Sequence, residues 1–251
     1  MAFRLRDVFR ILREGGPGRL ARFGRERLGS YWSFRRWVRN LPPETPIEPL
    51  VEVVVQRAHG EGQPVYAWQK EKEILALLQR LMPLRPRRVL EIGTAAGGTL
   101  LLLTRVAGDD ALLVSIDQPE GHFGGGYNPV RAFLYRAFAR CRQRIVLIRA
   151  DSHLPATRRR LAAALGGERL DFLFIDGDHS AAGVLRDFED YAPFVRPGGL
   201  IALHDIRPDE RGFSGEVHRV WPVLAARFDG EELVDDAGPS GYGIGLLRWP
   251  G

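Results

Sequence analysis

The chain has 251 residues, of which 45% are hydrophobic, and a formal net charge of +5. No apolar run reaches the roughly 20 residues of a membrane-spanning helix, and no apolar stretch with a small-residue cleavage site follows the basic N-terminus. We therefore expect neither a membrane span nor a secretory signal. Cys141 is the only cysteine, which excludes an internal disulfide framework and a cysteine-based zinc site and favours the cytoplasm.

Most of the positive charge lies at the N-terminus. The first forty residues hold eleven arginines against three acids, a net charge of +8, and the first twelve show the apolar spacing of an amphipathic helix. Four prolines in residues 41–49 indicate a linker. We predict a basic arm with its linker over 1–45 and one domain over 46–251. The arm either docks on an anionic membrane surface or a partner chain, or packs on its own domain or a dimer mate.

From about residue 65, predicted helices and strands alternate. The strands are expected at 87–93, 111–117, 144–151, 170–177, 198–205, 231–235 and 241–249, and the helices at 68–81, 98–107, 129–142, 156–165, 181–195 and 215–228. Five successive strand–helix units with apolar strands predict an α/β, Rossmann-like fold, with helices on both faces of a seven-stranded, mostly parallel sheet. The short connection between the last two strands makes the last strand antiparallel.

Polar residues follow the predicted strands at their carboxyl ends, where ligands bind in sheets of this kind. They are Glu91, Asp117, Asp151, Ser152, Asp176, Asp178, His204 and Asp205. Because the carboxyl ends of parallel strands meet at one edge of a sheet, these side chains should line a single cleft.

The first strand leads into a glycine-containing loop, "EIGTAAGG", over residues 91–98. The fingerprint of dinucleotide-binding proteins, G-x-G-x-x-G, fails here because Ala95 stands at its second glycine. Glu91 would repel a phosphate but would accept an ammonium group. Asp117, after the next strand, can accept the ribose hydroxyls of any adenosine ligand. The loop therefore favours a zwitterionic adenosine ligand over NAD.

These residues resemble the class I S-adenosylmethionine-dependent methyltransferases, whose glycine loop reads E-x-G-x-G-x-G. Glu91, Gly93 and Gly97 match this pattern, and Ala95 replaces the middle glycine, as in many small-molecule O-methyltransferases. The stretch 174–206 is similar to the subgroup that contains antibiotic- and sugar-modifying O-methyltransferases and cephalosporin hydroxylase-like proteins. The resemblance implies methyl transfer from S-adenosylmethionine to a hydroxyl of a sugar or natural product.

The resemblance also implies a role for each matched position. The methionine part of the cofactor would contact Glu91, Gly93, Thr94, Ala95 and Gly97. Asp117 would bind the ribose, with Gln118 beside the adenine and with Asp151 and Ser152 at the adenine edge. Asp176 would lie near the sulfonium and amino groups. An acid at the end of a strand can instead cap the next helix, and this alternative stays open, above all for Asp151.

Methylation of a hydroxyl requires alignment of the reactants and removal of a proton. One device is a divalent cation such as Mg²⁺, for which the resemblance implies Asp176 and Asp205 as ligands, with Asp178 or His204 completing the shell. The other is a histidine base, for which His179 is preferred and His204 comes next. The sequence leaves both devices open.

Further expectations concern a loop, the partners and two rival functions. The loop 119–129 is either a lid over the cofactor or a plain surface loop, and Trp68, Gln69 and Glu71 begin the helix that gates the cofactor in O-methyltransferases.

We expect a small-molecule acceptor, a homo-oligomer such as a dimer, and no nucleic-acid binding. An NAD-dependent oxidoreductase and a catalytically degenerate methyltransferase fold that acts as a binding scaffold remain the rivals.

Overall fold

A computed structural model describes residues 28–56, 64–119, 127–210, 212, 214–237 and 240–251. The amphipathic segment predicted near the N-terminus and most of the predicted lid loop lie outside these residues. Within the described ranges, no helix is both long and apolar enough to cross a membrane.

Eight helices and seven strands form the described part of the chain. The helices are α1 (28–39), α2 (Ile47–Gln56), α3 (Glu71–Leu81), α4 (Gly98–Val106), α5 (Pro129–Tyr135), α6 (Pro155–Leu165), α7 (Ala181–Tyr191) and α8 (Val217–Phe228). The strands are β1 (Arg88–Ile92), β2 (Leu112–Asp117), β3 (Arg144–Arg149), β4 (Leu170–Ile175), β5 (Val195–Arg207), β6 (Glu231–Leu233) and β7 (Tyr242–Arg248).

The strands form one seven-stranded sheet in the order β3-β2-β1-β4-β5-β7-β6. β1 to β5 are parallel, and β7 runs antiparallel to both β5 and β6. In the centre of the sheet, Leu90 of β1 pairs with Val114 of β2 and with Leu173 of β4. The predicted fold class is confirmed, since β7 is the one described strand that runs against the others.

Two predicted helices end well before the expected residue. The helix predicted over 129–142 ends at Tyr135 and continues as a 3₁₀ turn over Arg136–Phe138. The helix predicted over 181–195 ends at Tyr191 and is followed by the 3₁₀ turn Ala192–Phe194, in which Pro193 has no amide hydrogen to continue the α-helical pattern. The two predictions were too long because the apolar spacing continues beyond the last α-helical hydrogen bond.

The sheet separates two apolar cores, because successive residues of a strand point to opposite faces. On one face, α1 to α4 pack on residues such as Val89 and Phe174, and on the other α6 to α8 pack on residues such as Leu90. Tyr31, Phe34 and Val38 of α1 are buried in the first core. Residues 28–39 of the basic region therefore pack on the domain, while the boundary at residue 45 remains a prediction.

Candidate active site

The glycine loop turns β1 into α4 through positions that exclude a side chain. Gly93 has φ +91°, and a Cβ built on it would lie 1.9 Å from the carbonyl oxygen of Asp176, at the end of β4. Gly97 has φ +80°, and its Cβ would lie 2.5 Å from the Tyr135 ring. Both positions combine a left-handed backbone with a close approach, but the neighbour is backbone only at Gly93, so only Gly93 admits no other residue. A residue other than glycine at 97 would be strained and would also need a smaller residue at 135. The turn also brings the loop directly against Asp176.

Ala95, at the place of the middle glycine, is held from both sides. Its backbone is left-handed, with φ +43°. Its amide donates to Oδ2 of Asp117 at 2.6 Å, and its carbonyl accepts the hydroxyl of Tyr135 at 2.8 Å. Asp117 thus fixes the loop, and its role in binding ribose hydroxyls remains a prediction. Tyr135 was missed by the sequence analysis, because nothing local marks a tyrosine on α5 as a contact of this loop.

Glu91 lies fully buried beneath the loop. Its Oε2 accepts the Thr94 hydroxyl at 2.6 Å, and that hydroxyl is also 2.6 Å from the Ser115 hydroxyl. Its Oε1 is buried and has no hydrogen-bond partner among the described residues. Burial raises the pKa of Glu91 to about 8. The hydrogen bond from Thr94 lowers this pKa, whereas the charges of Asp176 and Asp117 raise it further. Near neutral pH the raised pKa therefore favours the protonated form of Glu91.

Two acids and two histidines meet where β4 and β5 end. Oδ1 of Asp176 lies 3.0 Å from Nδ1 of His204 and 3.4 Å from Nε2 of His179. Nδ1 of His179 lies 3.0 Å from Oδ2 of Asp205, and Nδ1 of His204 lies 3.4 Å from Oδ1 of Asp205. His204 and Asp205 are buried, whereas the side chains of Asp176 and His179 keep 14% and 17% of their exposure. We call these four residues the acid–histidine cluster.

A β-bulge in β5 directs Asp205 toward this cluster. His204 pairs with Ile244 and Arg207 pairs with Tyr242, so β5 contains one more residue than β7 over this interval. Asp205 takes up the extra residue with φ +65°. In a regular strand His204 and Asp205 would point to opposite faces, and the bulge is what lets both contact the same cluster.

The opposite charges in the acid–histidine cluster stabilise each other. Burial favours the neutral form of each residue, but His204 and His179 lower the pKa of Asp176 and of Asp205 below the usual range. Burial would likewise lower the pKa of His179, but hydrogen bonds and charge from Asp176 and Asp205 raise it to about 10. The same acids raise the pKa of His204 well above its usual value. Without a ligand, the cluster thus holds two carboxylates and two imidazolium ions.

The cluster also has the donor set of a divalent cation site. One ligand atom each from Asp176, His179 and Asp205 lies within 4.8 Å of the others. Two carboxylates and one imidazole suit divalent transition metals such as Mn²⁺ better than Mg²⁺, which prefers oxygen ligands alone. A cation would have to displace the proton from His179, because only a neutral imidazole coordinates a metal.

Gln69 connects the cluster to the glycine loop side of the cleft. This buried side chain donates from Nε2 to Oδ2 of Asp176 at 2.7 Å, and its Oε1 accepts the Thr99 hydroxyl of α4 at 2.9 Å. The sequence analysis placed Gln69 near the cofactor gate but did not foresee this contact, since 107 residues separate it from Asp176.

Some predicted site residues serve the backbone in the structure. Oδ1 of Asp178 accepts the amide of Ser180 at 2.9 Å, and Asp178 is not part of the three-residue metal set. Oδ1 of Asp151 accepts the amide of His153 at 2.8 Å in a local turn; the next helix, α6, begins at Pro155 and has no side-chain cap, so Asp151 does not cap it. The carbonyl of Ser152 accepts the Tyr191 hydroxyl at 2.6 Å. Their roles toward a cation or an adenine remain predictions.

Gln118 is exposed at the end of β2, next to the residues outside the description. Its neighbour Asp117 is buried. The predicted contact of Gln118 with an adenine also remains a prediction.

Comparison with known proteins assigns the central part of the chain. Residues 90–206, from β1 to the bulge in β5, match a family model described as a methyltransferase domain. This range contains the glycine loop and all four residues of the acid–histidine cluster. The match favours a methyltransferase over the NAD-dependent oxidoreductase considered as a rival.

Two solved structures that share the fold are O-methyltransferases. An O-methyltransferase from Bacillus cereus, solved with S-adenosylhomocysteine, is 18% identical, with a TM-score of 0.54 over 88% of this chain and 100% of that one. The O-methyltransferase TomG from Streptomyces achromogenes, involved in tomaymycin synthesis and solved with S-adenosylmethionine, is 19% identical, with a TM-score of 0.51 over 79% of this chain and 89% of that one. At these identities the likeness establishes the fold.

A curated relative, the uncharacterized protein y4gI of Sinorhizobium fredii (strain NBRC 101917 / NGR234), is 28% identical over 169 residues. The match covers 66% of this chain but only 17% of the relative, so the chain spans about a sixth of that protein's length.

The sheet order and the glycine loop define a Rossmann-like fold, and residues 90–206 within it match the methyltransferase domain model. The resemblance to class I methyltransferases that the sequence predicted is confirmed.

Proposed function

We propose that the protein transfers a methyl group from S-adenosylmethionine to a hydroxyl of a small molecule, such as a sugar or a natural product. The observation that carries this proposal is the acid–histidine cluster, which lies against the glycine loop of a methyltransferase domain. A loop of this kind suits binding of the methyl donor, and the cluster offers the groups that a hydroxyl acceptor needs for orientation and proton removal.

The chain's own residues give each part of the donor a complementary surface. Gly93 and Gly97 let the loop pack against the Asp176 backbone and the Tyr135 ring, and the backbone of this loop would face the methionine portion of the donor. The unpartnered Oε1 of Glu91 suits the ammonium group, which would draw the carboxyl group into its charged form. Asp117, whose Oδ2 accepts the amide of Ala95, would accept the ribose hydroxyls.

For proton removal, two arrangements of the cluster remain in the proposal. In the first, Asp176, His179 and Asp205 hold a divalent cation, which when bound would lower the pKa of the acceptor hydroxyl. In the second, His179 accepts the proton itself. His179 must lose its own proton before it can accept one from the acceptor hydroxyl. Asp176 and Asp205 would then orient the imidazole ring.

Calorimetry with S-adenosylhomocysteine and with NAD tests the cofactor assignment. We expect the first to bind and the second not to bind. Asp117→Ala should weaken binding of S-adenosylhomocysteine by about tenfold or more. The control is Asp110→Ala, just before β2, where the aspartate pairs with Arg87; this variant should change binding by less than about twofold. Binding of NAD alone would refute the proposal.

Methyl transfer to a panel of catechols, sugars and phenolic compounds, measured with labelled S-adenosylmethionine, tests the acceptor assignment. If a cation takes part, chelation should abolish transfer, Mn²⁺ or Mg²⁺ should restore it, and Asp205→Asn should remove the response to metal. If His179 is the base, His179→Gln should abolish transfer that chelation leaves intact. Binding of the donor without transfer to any acceptor, even with either metal present, would favour the scaffold alternative.

The proposal also includes the cellular compartment, the oligomeric state and the partners that the sequence predicts. We place the protein in the cytoplasm, as a homo-oligomer such as a dimer that does not bind nucleic acid, and its lone, exposed Cys141 is compatible with a reducing compartment. Sedimentation velocity measures the oligomeric state. Membrane contact through residues 1–27 remains a separate prediction, since these residues lie outside the description.

A further inference from the structure

An apolar groove between α1 and α5 has no part in the proposed reaction. It has a volume of about 360 Å³ and is lined by side chains that include Leu28, Trp32, Val130 and Phe133. These four side chains are 48%, 58%, 43% and 47% exposed, so large apolar groups from two helices form one continuous patch. The rings of Trp32 and Phe133 meet edge to face at 5.8 Å between centroids. A patch of this kind on a surface marks an interaction site.

Arginines border this groove on one side. A second groove of about 260 Å³ shares Arg35 and Phe133 with the first and is also lined by Arg39 and Arg136. The Arg35 guanidinium lies 4.6 Å from the centroid of the Phe133 ring and 5.6 Å from that of Trp32. Within the described part of the chain, neither Arg39 nor Arg136 forms an ion pair. We call the two grooves together the arginine-rimmed groove.

The helices that form this surface contribute positive charge but no acidic side chain to neutralise it. Residues 28–41 and 127–150, which include α1 and α5, contain no Asp or Glu. The groove therefore favours an anionic partner. The neighbouring segment 1–27 holds eight arginines against three acids, and a second copy of the chain would present the same arginines. Repulsion between like charges disfavours both as occupants.

We propose that the arginine-rimmed groove docks the protein on a bilayer with anionic head groups. Trp32 enters the interfacial region, where its amphipathic ring is favoured, and Phe133 adds apolar surface beside it. Arg35, Arg39 and Arg136 contact the head groups. Apolar insertion beside a basic rim is how peripheral proteins bind such surfaces, and each arginine adds to the attraction. The docking face does not depend on the proposed methyl transfer, and it lies on the domain rather than on residues 1–27.

Vesicle sedimentation of the full chain tests this proposal. The protein should bind vesicles that contain a quarter phosphatidylserine and bind pure phosphatidylcholine at least tenfold more weakly. Trp32→Ala/Phe133→Ala and Arg39→Ala/Arg136→Ala should each weaken binding to the anionic vesicles by about tenfold. The matched control is Arg159→Ala/Arg160→Ala, which removes the same charge from exposed positions of α6 on the opposite face of the sheet and should change binding by less than twofold.

Because all variants retain residues 1–27, the comparison separates the groove from the arm. Equal binding by all three double variants would overturn the proposal and assign membrane contact to the arm. Lack of binding to anionic vesicles would overturn it as well. Loss of self-association in Trp32→Ala/Phe133→Ala, without lipid binding by the wild type, would show that a second copy covers the groove. Unchanged melting temperatures and unchanged binding of S-adenosylhomocysteine would show that the variants are folded.

Discussion

Single residues of the glycine loop make the cleft possible, and Gly93 is the most constrained of them. Its left-handed backbone and its distance to the Asp176 carbonyl oxygen leave no space for a methyl group. The neighbour is backbone at the end of β4, so it cannot turn away as a side chain could. The geometry of the loop and that of the acid–histidine cluster therefore depend on the same position.

Gly93→Ala should destabilise the protein by roughly 3 kcal/mol or more and abolish binding of S-adenosylhomocysteine, because both the backbone strain and the overlap must be relieved. The control is Gly166→Ala, which has φ +61° but no atom within 4 Å of its Cβ and should cost only about 1 kcal/mol. Urea unfolding measures both changes. Equal costs for the two variants would show that the overlap with Asp176 relaxes easily.

Glu91 makes stability depend on pH. The folded protein retains the Glu91 proton up to about pH 8, whereas the carboxyl group has an ordinary pKa of 4.5 in the unfolded chain. The stability that the raised pKa contributes is therefore fully present below pH 4.5 and is lost as the pH rises through 8.

Glu91→Gln should remove this dependence. Between pH 5 and pH 8.5 the wild type should lose on the order of 2–4 kcal/mol more stability than the variant. Glu168→Gln, at an exposed side chain paired with Arg88, serves as the control and should leave the pH profile of the wild type unchanged. The measurement is the free energy of unfolding in urea at several pH values. Parallel profiles for wild type and Glu91→Gln would contradict the assignment of the proton to Glu91.

At the scale of elements, helix starts hold the cluster in place. Ser180 caps α7, since its hydroxyl accepts the amide of Gly183 at 3.0 Å, and His179 immediately precedes it. Asn128 caps α5 in the same way, with its side chain accepting the amide of Arg131 at 2.9 Å. The two caps are equivalent in geometry but differ in their distance from the acid–histidine cluster along the chain.

Ser180→Ala and Asn128→Ala should each lower the free energy of unfolding by about 1 kcal/mol. If the cluster holds a cation as proposed, only Ser180→Ala should also weaken the binding of Mn²⁺, because fraying of α7 frees His179. Denaturation and metal titration of both variants measure these effects. An equal loss of metal binding in both would mean that the cap does not position His179.

Apart from α2, which begins inside the proline-containing stretch interpreted as a linker, the elements and the strand-end residues could be predicted from the sequence, since apolar periodicity and turn residues are local signals. The meeting of Asp176, His204 and Asp205 followed from the rule that parallel strands end at one edge. The bulge that directs Asp205 could not be predicted, because it depends on pairing with β7, and no residue near it signals an extra position. The contacts of Gln69 and Tyr135 join elements far apart in sequence, for which a single sequence has no signal.

At the scale of the whole molecule, Glu73 ties the helical layer to the far edge of the sheet. This buried residue of α3 accepts the amide of Asp235 through Oε1 and the amide of Gly243 through Oε2, both at 3.0 Å. The carboxylate therefore satisfies two backbone groups that follow β6 and belong to β7. The connection holds the antiparallel edge of the sheet against the layer that also contains Gln69.

Glu73→Gln should cost roughly 1–2 kcal/mol because an amide offers only one acceptor oxygen, and Glu73→Ala should cost roughly 3 kcal/mol because both backbone amides lose their partner. Gln79→Ala, at an exposed position of the same helix, should cost less than about 0.5 kcal/mol. Chemical denaturation gives the three values. A cost for Glu73→Ala no larger than that for Gln79→Ala would show that the two contacts of Glu73 do not stabilise the fold.

The glycine loop also predicts which positions can vary together among active relatives. A side chain at position 97 would overlap the Tyr135 ring, so a larger residue there can be compensated by a smaller one at 135, and the two positions should covary. At position 93 the obstacle is a peptide carbonyl, which no substitution elsewhere removes. An alignment of active relatives should therefore show glycine alone at 93 and correlated pairs at 97 and 135.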